Sequence, residues 1–195
     1  MAEYRLSYPE ERDAIIDFGN YIYSGYEVPT DSKIMSTKLF DDSVSAEEFS
    51  EATYVAMDGK RIVGMVCCPI IDAKVCDVPV RVAQVGMLAT HIYDRRKGHM
   101  GEIMRTMFED VDKKNVDIYL LGGEHQRYQL HGFEYAGAQI MVNYSAYSLN
   151  KSFGDTDVSE YTFKKIEKGS ELEHKAWELF CKKSPVILRN EKNFY

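Results

Sequence analysis

One tryptophan, four cysteines and five prolines in 195 residues argue against several familiar architectures. Cys67 and Cys68 are adjacent, while Cys76 and Cys181 stand apart. There is no Cys-x-x-Cys pair and no spacing typical of a secreted disulfide framework, and neighbours on a strand point to opposite faces. Reduced, mostly buried thiols are expected. Long hydrophobic runs are also missing: the longest apolar stretch, Ile62 to Ile71, is too short to span a bilayer. Met1 to Tyr4 offers no basic region followed by an apolar one, as a secretory signal would need, so a cytoplasmic location is the default expectation. Basic residues are in the minority, 24 Lys and Arg against 31 Asp and Glu, and the formal charge of -7 would repel a nucleic-acid backbone. Neither nucleic acid nor a membrane is an expected partner.

What is present describes an ordinary globular chain, 45% hydrophobic and 28% charged with no low-complexity tract. A chain of this length buries roughly 70% of the surface its unfolded form exposes, enough for a substantial core. Tyr4 to Leu6 reads as a short strand. Pro9, with Ser7 nearby as a cap, opens a helix whose apolar face is Ala14, Ile15, Phe18 and Ile22. Tyr21 to Thr30 breaks the period with Tyr, Gly and Pro and reads as a loop. The carboxylates of Asp41, Asp42, Glu47, Glu48 and Glu51 read as a solvated face, although such a run would also suit a cationic acceptor.

Thr53 to Met57, Asp58-Gly59 and Arg61 to Cys67 form the strongest hairpin signal, because Asp-Gly accepts the positive φ of a tight turn. Val80 to Ala89 reads as a further strand, and Val116 to Leu121 as an apolar strand of the kind buried on both faces. Between them Met100, Ile103, Met104, Met107, Phe108 and Val111 recur at helical spacing. The methionine stripe reads as core rather than as a metal site. Strand, helix, strand at this spacing predicts a crossover joining parallel strands, in a sheet that is antiparallel at its start. Ile140 to Tyr147 adds a later strand. The polar stretch Asn150, Lys151, Ser152, Gly154, Asp155 and Asp157 reads as a linker, placing one domain over 1–150 and an extension over 151–195. In that extension Tyr161 to Ile166 reads as a strand and Glu171 to Lys182 as a helix with Leu172, Ala176, Leu179 and Phe180 on its apolar face.

The chemistry concentrates where Thr90-His91-Ile92-Tyr93-Asp94-Arg95-Arg96-Lys97-Gly98-His99-Met100 links a strand to a helix N-terminus. Unpaired N–H groups, the positive end of the helix dipole and three consecutive basic side chains favour an anion in an otherwise negative protein. Pyrophosphate is the obvious candidate.

Arg95-Arg96-Lys97-Gly98 resembles the Q/R-x-x-G-x-G/A motif of the GNAT acyltransferases. Met100 stands where the family usually has Gly or Ala, and Gly101 follows one step later. Downstream, Leu121-Gly122-Gly123-Glu124-His125-Gln126-Arg127-Tyr128-Gln129-Leu130-His131-Gly132-Phe133-Glu134 resembles the family's strand followed by a helix and a Tyr-x-x-x-Gly-Phe signature. The resemblance covers residues 1–150 and implies a mixed α/β (α+β) GNAT fold with a central parallel strand-helix-strand unit. The tail resembles the opening of a second domain in tandem acyltransferases such as the enhanced intracellular survival family.

The resemblance implies transfer of an acetyl group from acetyl-CoA, as cosubstrate, to a small-molecule or peptide primary amine by direct attack, with no metal. It places Arg95, Arg96, Lys97, Gly98, His99, Met100 and Gly101 at the pyrophosphate, and the backbone of Met87, Leu88 and Ala89 along pantetheine. An N–H of that strand would also stabilise the oxyanion. Tyr128 falls at the family's general acid, and a tyrosine hydroxyl can donate its proton to the departing thiolate. Something must also take the amine's proton, and Glu124, His125 and His91 are the candidates, Glu124 doubling as a first-turn acid. Tyr21, Tyr23 and Tyr26 fall where the family's first helices border the acceptor. His91, His99, His125, His131 and His174 show no metal-ligand spacing. The competing reading is a non-catalytic acyl-CoA-binding or regulatory module that keeps the cradle without acceptor chemistry, and Met100 is the residue that favours it.

Overall fold

The structure, a computed structural model, describes residues 2–24, 44–136, 145–154, 162, 164–182 and 186–187. Two compact units divide the chain. One is Met1–Gly122 with Lys183–Arg189, and the other is Gly123–Lys182 with Asn190–Tyr195.

The first unit is a seven-stranded mixed sheet with helices on both faces. Strand β1 (Glu3–Leu6) pairs antiparallel with β2 (Thr53–Asp58), and β2 with β3 (Arg61–Cys67). The β2–β3 hairpin falls where the sequence places it, with the positive φ of +61° on Gly59. A second hairpin joins β4 (Ile70–Val75) to β5 (Val78–Thr90), and neither β4 nor this turn is expected from the sequence. Its two central residues, Cys76 and Asp77, both have positive φ, +48° and +64°. That is the backbone of a type I′ turn, built here without the glycine that normally announces it.

Helix α1 (Arg12–Tyr23) and helix α2 (Ala46–Glu51) cover one face of the sheet. Ile15 and Phe18 of α1 and Phe49 of α2 pack on Val55, Met57, Met65, Cys67 and Ala89. Ala14 is exposed, so the face of α1 is rotated from the expected one to Ile15, Phe18, Gly19 and Ile22. The 3₁₀ turn before it is not capped by Ser7. Tyr8 holds that position, and its N–H donates to Glu11 Oε2 at 2.8 Å. The opposite face carries helix α3 (His99–Val111), whose Ile103, Met104, Met107 and Val111 are buried as the sequence predicts. Tyr54 points to this side and donates to Asp110 of α3 at 2.6 Å. Side chains from both faces therefore bury β2 almost throughout.

Strand β6 (Ile118–Leu121) runs parallel to β5, closing the expected strand-helix-strand unit. It is not buried on both faces: Ile118 and Leu120 are 50% and 43% exposed. Among the described residues β6 pairs only with β5. The two-residue β7 (Val186–Ile187) lies beside β4.

The second unit holds α4 (His125–Tyr128), α5 (Ala146–Phe153) and α6 (Glu171–Cys181). The strand expected over Ile140 to Tyr147 is corrected in part: 140–144 lie outside the described residues, and Tyr147 is helical. Ser145 sets that boundary by accepting the Ser148 N–H at 3.1 Å, a side-chain N-cap. Asn150, Lys151 and Ser152, expected in a linker, continue the same helix. Thr162 and Lys164 to Ile166 form no strand. Helix α6 is present, capped by Ser170, but Leu172 and Leu179 are exposed. Its inward face is Glu173, Ala176, Trp177 and Phe180, and the Glu173 carboxylate is satisfied by the Gly169 N–H.

Candidate active site

The geometry of β5 is set by how its neighbours divide it. On one edge β4 pairs with residues 78–83 and β3 with residues 86–90, the two being one interrupted strand broken at Cys68 and Pro69. On the other edge β6 pairs only with Val82 to Val85. Among the described residues nothing pairs with that edge from Gly86 to Thr90, where β5 and β6 part company.

The parting coincides with a bulge. Met65 pairs with Ala89 but Cys67 pairs with Gly86, so Met87 and Leu88 together face one residue of β3. Met87 carries a φ of +51° without being glycine, a conformation that costs roughly 1–2 kcal/mol and persists where the surroundings enforce it. His91 N–H donates to Val63 O at 2.9 Å, and neighbouring residues of a strand send their groups to opposite edges. Ala89 therefore bonds across to β3, while Leu88 and Thr90 present N–H and C=O on the open edge. Tyr23 of α1 already uses one of these acceptors, its hydroxyl donating to Leu88 O at 3.0 Å.

Past Thr90 the chain makes a short 3₁₀ turn and then the basic turn. Arg95 is extended, Arg96 is left-handed at φ +65°, and Gly98, also left-handed at φ +85°, is the N-cap of α3. The first bond of the helix is Glu102 N–H to Gly98 O, so the N–H groups just before it are among the four that every helix start leaves without an intrahelical partner. With the dipole behind them, groups of this kind are suited to negative charge. His99 is held from β1, where its Nδ1 lies 2.8 Å from the Tyr4 hydroxyl. Met100 is half-buried, and a Cβ added at Gly101 would meet nothing within 4 Å.

Beneath this turn lies a residue that sequence reasoning did not single out. Asp94 is 3% exposed, and its carboxylate receives Arg61 Nη1 at 2.5 Å and Nη2 at 3.2 Å from the start of β3, and Lys97 Nζ at 2.7 Å from the turn. Hydrogen bonds from Arg61 and then Lys97 hold its carboxyl well below the usual carboxylate range. His91 Nδ1 is 3.5 Å away, buried and without a hydrogen-bond partner, and its ring stacks on Phe18 and Tyr21 at 6.3 and 5.8 Å. The Asp94–Lys97 spacing of three residues was the one available sequence signal. Arg61 gave none.

In the second unit, Tyr128 ends α4, is 9% exposed and meets Phe133 edge to face at 6.4 Å, with Gly132 left-handed between them at φ +84°. The Tyr-x-x-x-Gly-Phe spacing is thus the signature of a short helix closed by a glycine. Glu124 sits at the N-cap position of α4, exposed, with Oε2 3.1 Å from Arg127. His125 pairs with Glu134 at 3.2 Å and stacks on Tyr135. Tyr26 lies outside the described residues, as do Asp41 and Asp42. Glu47, Glu48 and Glu51 belong to α2, where the first two occupy the first turn after the Ser45 cap.

The model of the acetyltransferase (GNAT) domain matches residues 3–136. No curated protein matches the sequence. Among solved structures, a probable N-acyltransferase from Enterococcus faecalis V583 is similar over 69% of this chain at 18% identity and a TM-score of 0.56. This chain spans 32% of that protein. A predicted acetyltransferase from Clostridium acetobutylicum, solved with acetyl-CoA, is similar over 73% of this chain and 96% of its own at 12% identity and a TM-score of 0.55. A Trypanosoma brucei acetyltransferase is similar over 74% of this chain and 100% of its own at 16% identity and a TM-score of 0.53. At such identities the likeness is one of fold. The family match runs from β1 through the parted strands, the basic turn and the Gly132-Phe133 signature, and on that match the chain belongs to the GNAT acetyltransferase family.

Proposed function

We propose that the protein transfers an acetyl group from acetyl-CoA to a primary amine by direct attack. The observation that carries this reading is the open edge of β5 over Gly86 to Thr90, which leads within a few residues into the basic turn and the start of α3. Pantetheine carries amide groups that can complete a strand edge, and its pyrophosphate is the anion such a helix start accepts. Met87, Leu88 and Ala89 line the donor arm; Arg95, Arg96, Lys97, Gly98, His99, Met100 and Gly101 make up the phosphate cradle with their side chains and main-chain N–H groups. The departure at Met100 leaves its main-chain donor intact.

In the reaction the amine lone pair forms a C–N bond to the thioester carbonyl, and a β5 N–H on the open edge stabilises the oxyanion. As the intermediate collapses, the C–S bond breaks and Tyr128 gives its proton to the thiolate. Glu124 takes the proton released by the amine, directly or through water, and the phenol regains one from solvent. The role of Tyr128 rests on the Tyr-x-x-x-Gly-Phe spacing and that of Glu124 on its place beside it in sequence. The acceptor class is an amine of small-molecule or peptide type.

Thermal unfolding with and without excess acetyl-CoA tests the donor half, since a ligand bound only by the folded state raises its stability, by about 2.7 kcal/mol at a hundredfold excess over Kd. An upward shift is expected, followed by CoA release on screening amines. A shift with no turnover against any amine would instead support a non-catalytic acyl-CoA-binding module, and no shift would refute both.

A further inference from the structure

We propose that Asp94 is a positioning residue for the donor: as the buried anion to which β3 and the basic turn are both tied, it sets the shape of the phosphate cradle, and Lys97 serves the cradle through Asp94 rather than by touching phosphate. The inference rests on the reading of this turn as the donor's phosphate site. A carboxylate as buried as Asp94 is tolerated only when paired, and both its pairs have structural consequences. Arg61 ties it to the first residue of β3, a rigid part of the sheet. Lys97 ties it to the residue between Arg96 and Gly98, the two left-handed positions of the turn. Arg96 is not glycine, so its conformation is strained and has to be imposed by neighbours. The Asp94–Lys97 pair holds the residue next to it and keeps the Lys97 ammonium at 2.7 Å from carboxylate oxygen. His91 faces the same carboxylate at 3.5 Å, so removing its charge is felt on three sides.

The test uses the full chain and two ligands, acetyl-CoA and S-acetylpantetheine, which lacks the pyrophosphate. Calorimetric titration of Asp94→Asn should give an acetyl-CoA Kd raised at least about tenfold, the loss typical when a charge-assisted hydrogen bond is broken. The S-acetylpantetheine Kd, measured directly or by competition with acetyl-CoA, should change less than about twofold. Asp94→Glu should recover part of the loss. Lys97→Met should weaken acetyl-CoA in the parent chain but add little in the Asp94→Asn background, because the two act as one unit. Equal weakening of both ligands would mean a general structural role and overturn the proposal, as would a full additional loss from Lys97→Met in the Asp94→Asn background. If the parent chain binds S-acetylpantetheine but not acetyl-CoA, or binds neither, the cradle reading fails first and this inference with it.

Discussion

Gly98 and Gly101 lie three residues apart at the start of α3, yet replacing each with alanine should move stability in opposite directions. Gly98 has φ +85°, and an added Cβ would meet nothing within 4 Å, so the cost of Gly98→Ala is backbone strain alone. An L-residue in the left-handed region loses roughly 1–2 kcal/mol. The unfolded chain simultaneously loses freedom worth roughly 0.4–1 kcal/mol, leaving a net destabilisation of about 1 kcal/mol. Gly101 is helical, its φ is not positive, and its Cβ also meets open space, so Gly101→Ala should stabilise by up to about 1 kcal/mol. For a chain of this size each change corresponds to a shift in Tm of about 2–4 °C, downward for the first and upward for the second. Urea unfolding followed by circular dichroism, without donor, gives both differences from the midpoints at constant m. Gly98→Asn should cost less than Gly98→Ala, since asparagine enters the left-handed region more readily. Two shifts of the same sign would mean that Gly98 is not held left-handed, and the description of the turn would be wrong.

Two further outcomes concern the proposed general acid and the thiols. If Tyr128 is the general acid proposed above, Tyr128→Phe should lower kcat while leaving acetyl-CoA affinity nearly unchanged, because the lost proton would serve only the departing thiolate; unchanged turnover would remove Tyr128 from the mechanism. Cys67 and Cys68 are buried, with burial pushing both thiols up to about 12, whereas Cys76 is exposed on the β4–β5 turn. A thiol reagent at pH 8 should therefore modify Cys76 in the folded chain and reach Cys67 and Cys68 only on unfolding. Above about pH 9 the unfolded thiols lose protons that the folded ones keep, so stability should fall as pH rises toward 12. Native-state labelling of all three at one rate would contradict the burial.

Much of the first unit was legible because its signals are local. Asp58-Gly59 marks a turn on its own, and the spacing from Met100 to Val111 is a helix with one apolar face wherever it lands. The basic turn could be read too, since a glycine after three basic residues at a strand-to-helix junction is a local pattern. The second hairpin escaped because Cys76-Asp77 has neither glycine nor asparagine to announce two positive φ angles. Strand β6 looks doubly buried in sequence because Ile118, Leu120 and Leu121 are apolar, yet exposure depends on which neighbours a strand receives. The segment around Tyr147 reads as strand from its β-rich composition, while the Ser145 cap starts a helix there. Leu172 and Leu179 read as inward on apolarity alone, but packing chooses the face of the helix and leaves both exposed.

The sequence by itself determined the periodicities, the turn chemistry and the basic strand-to-helix turn, all of which are encoded within a few residues of one another. Only the tertiary structure decided where β5 parts from β6, that Met87 bulges there, and that Asp94 gathers Arg61 and Lys97 under the turn. These depend on pairings between residues distant in sequence, Arg61 and Asp94 being 33 positions apart and the partners on β5 and β6 farther still, and nothing local to Asp94 announces that Arg61 will reach it.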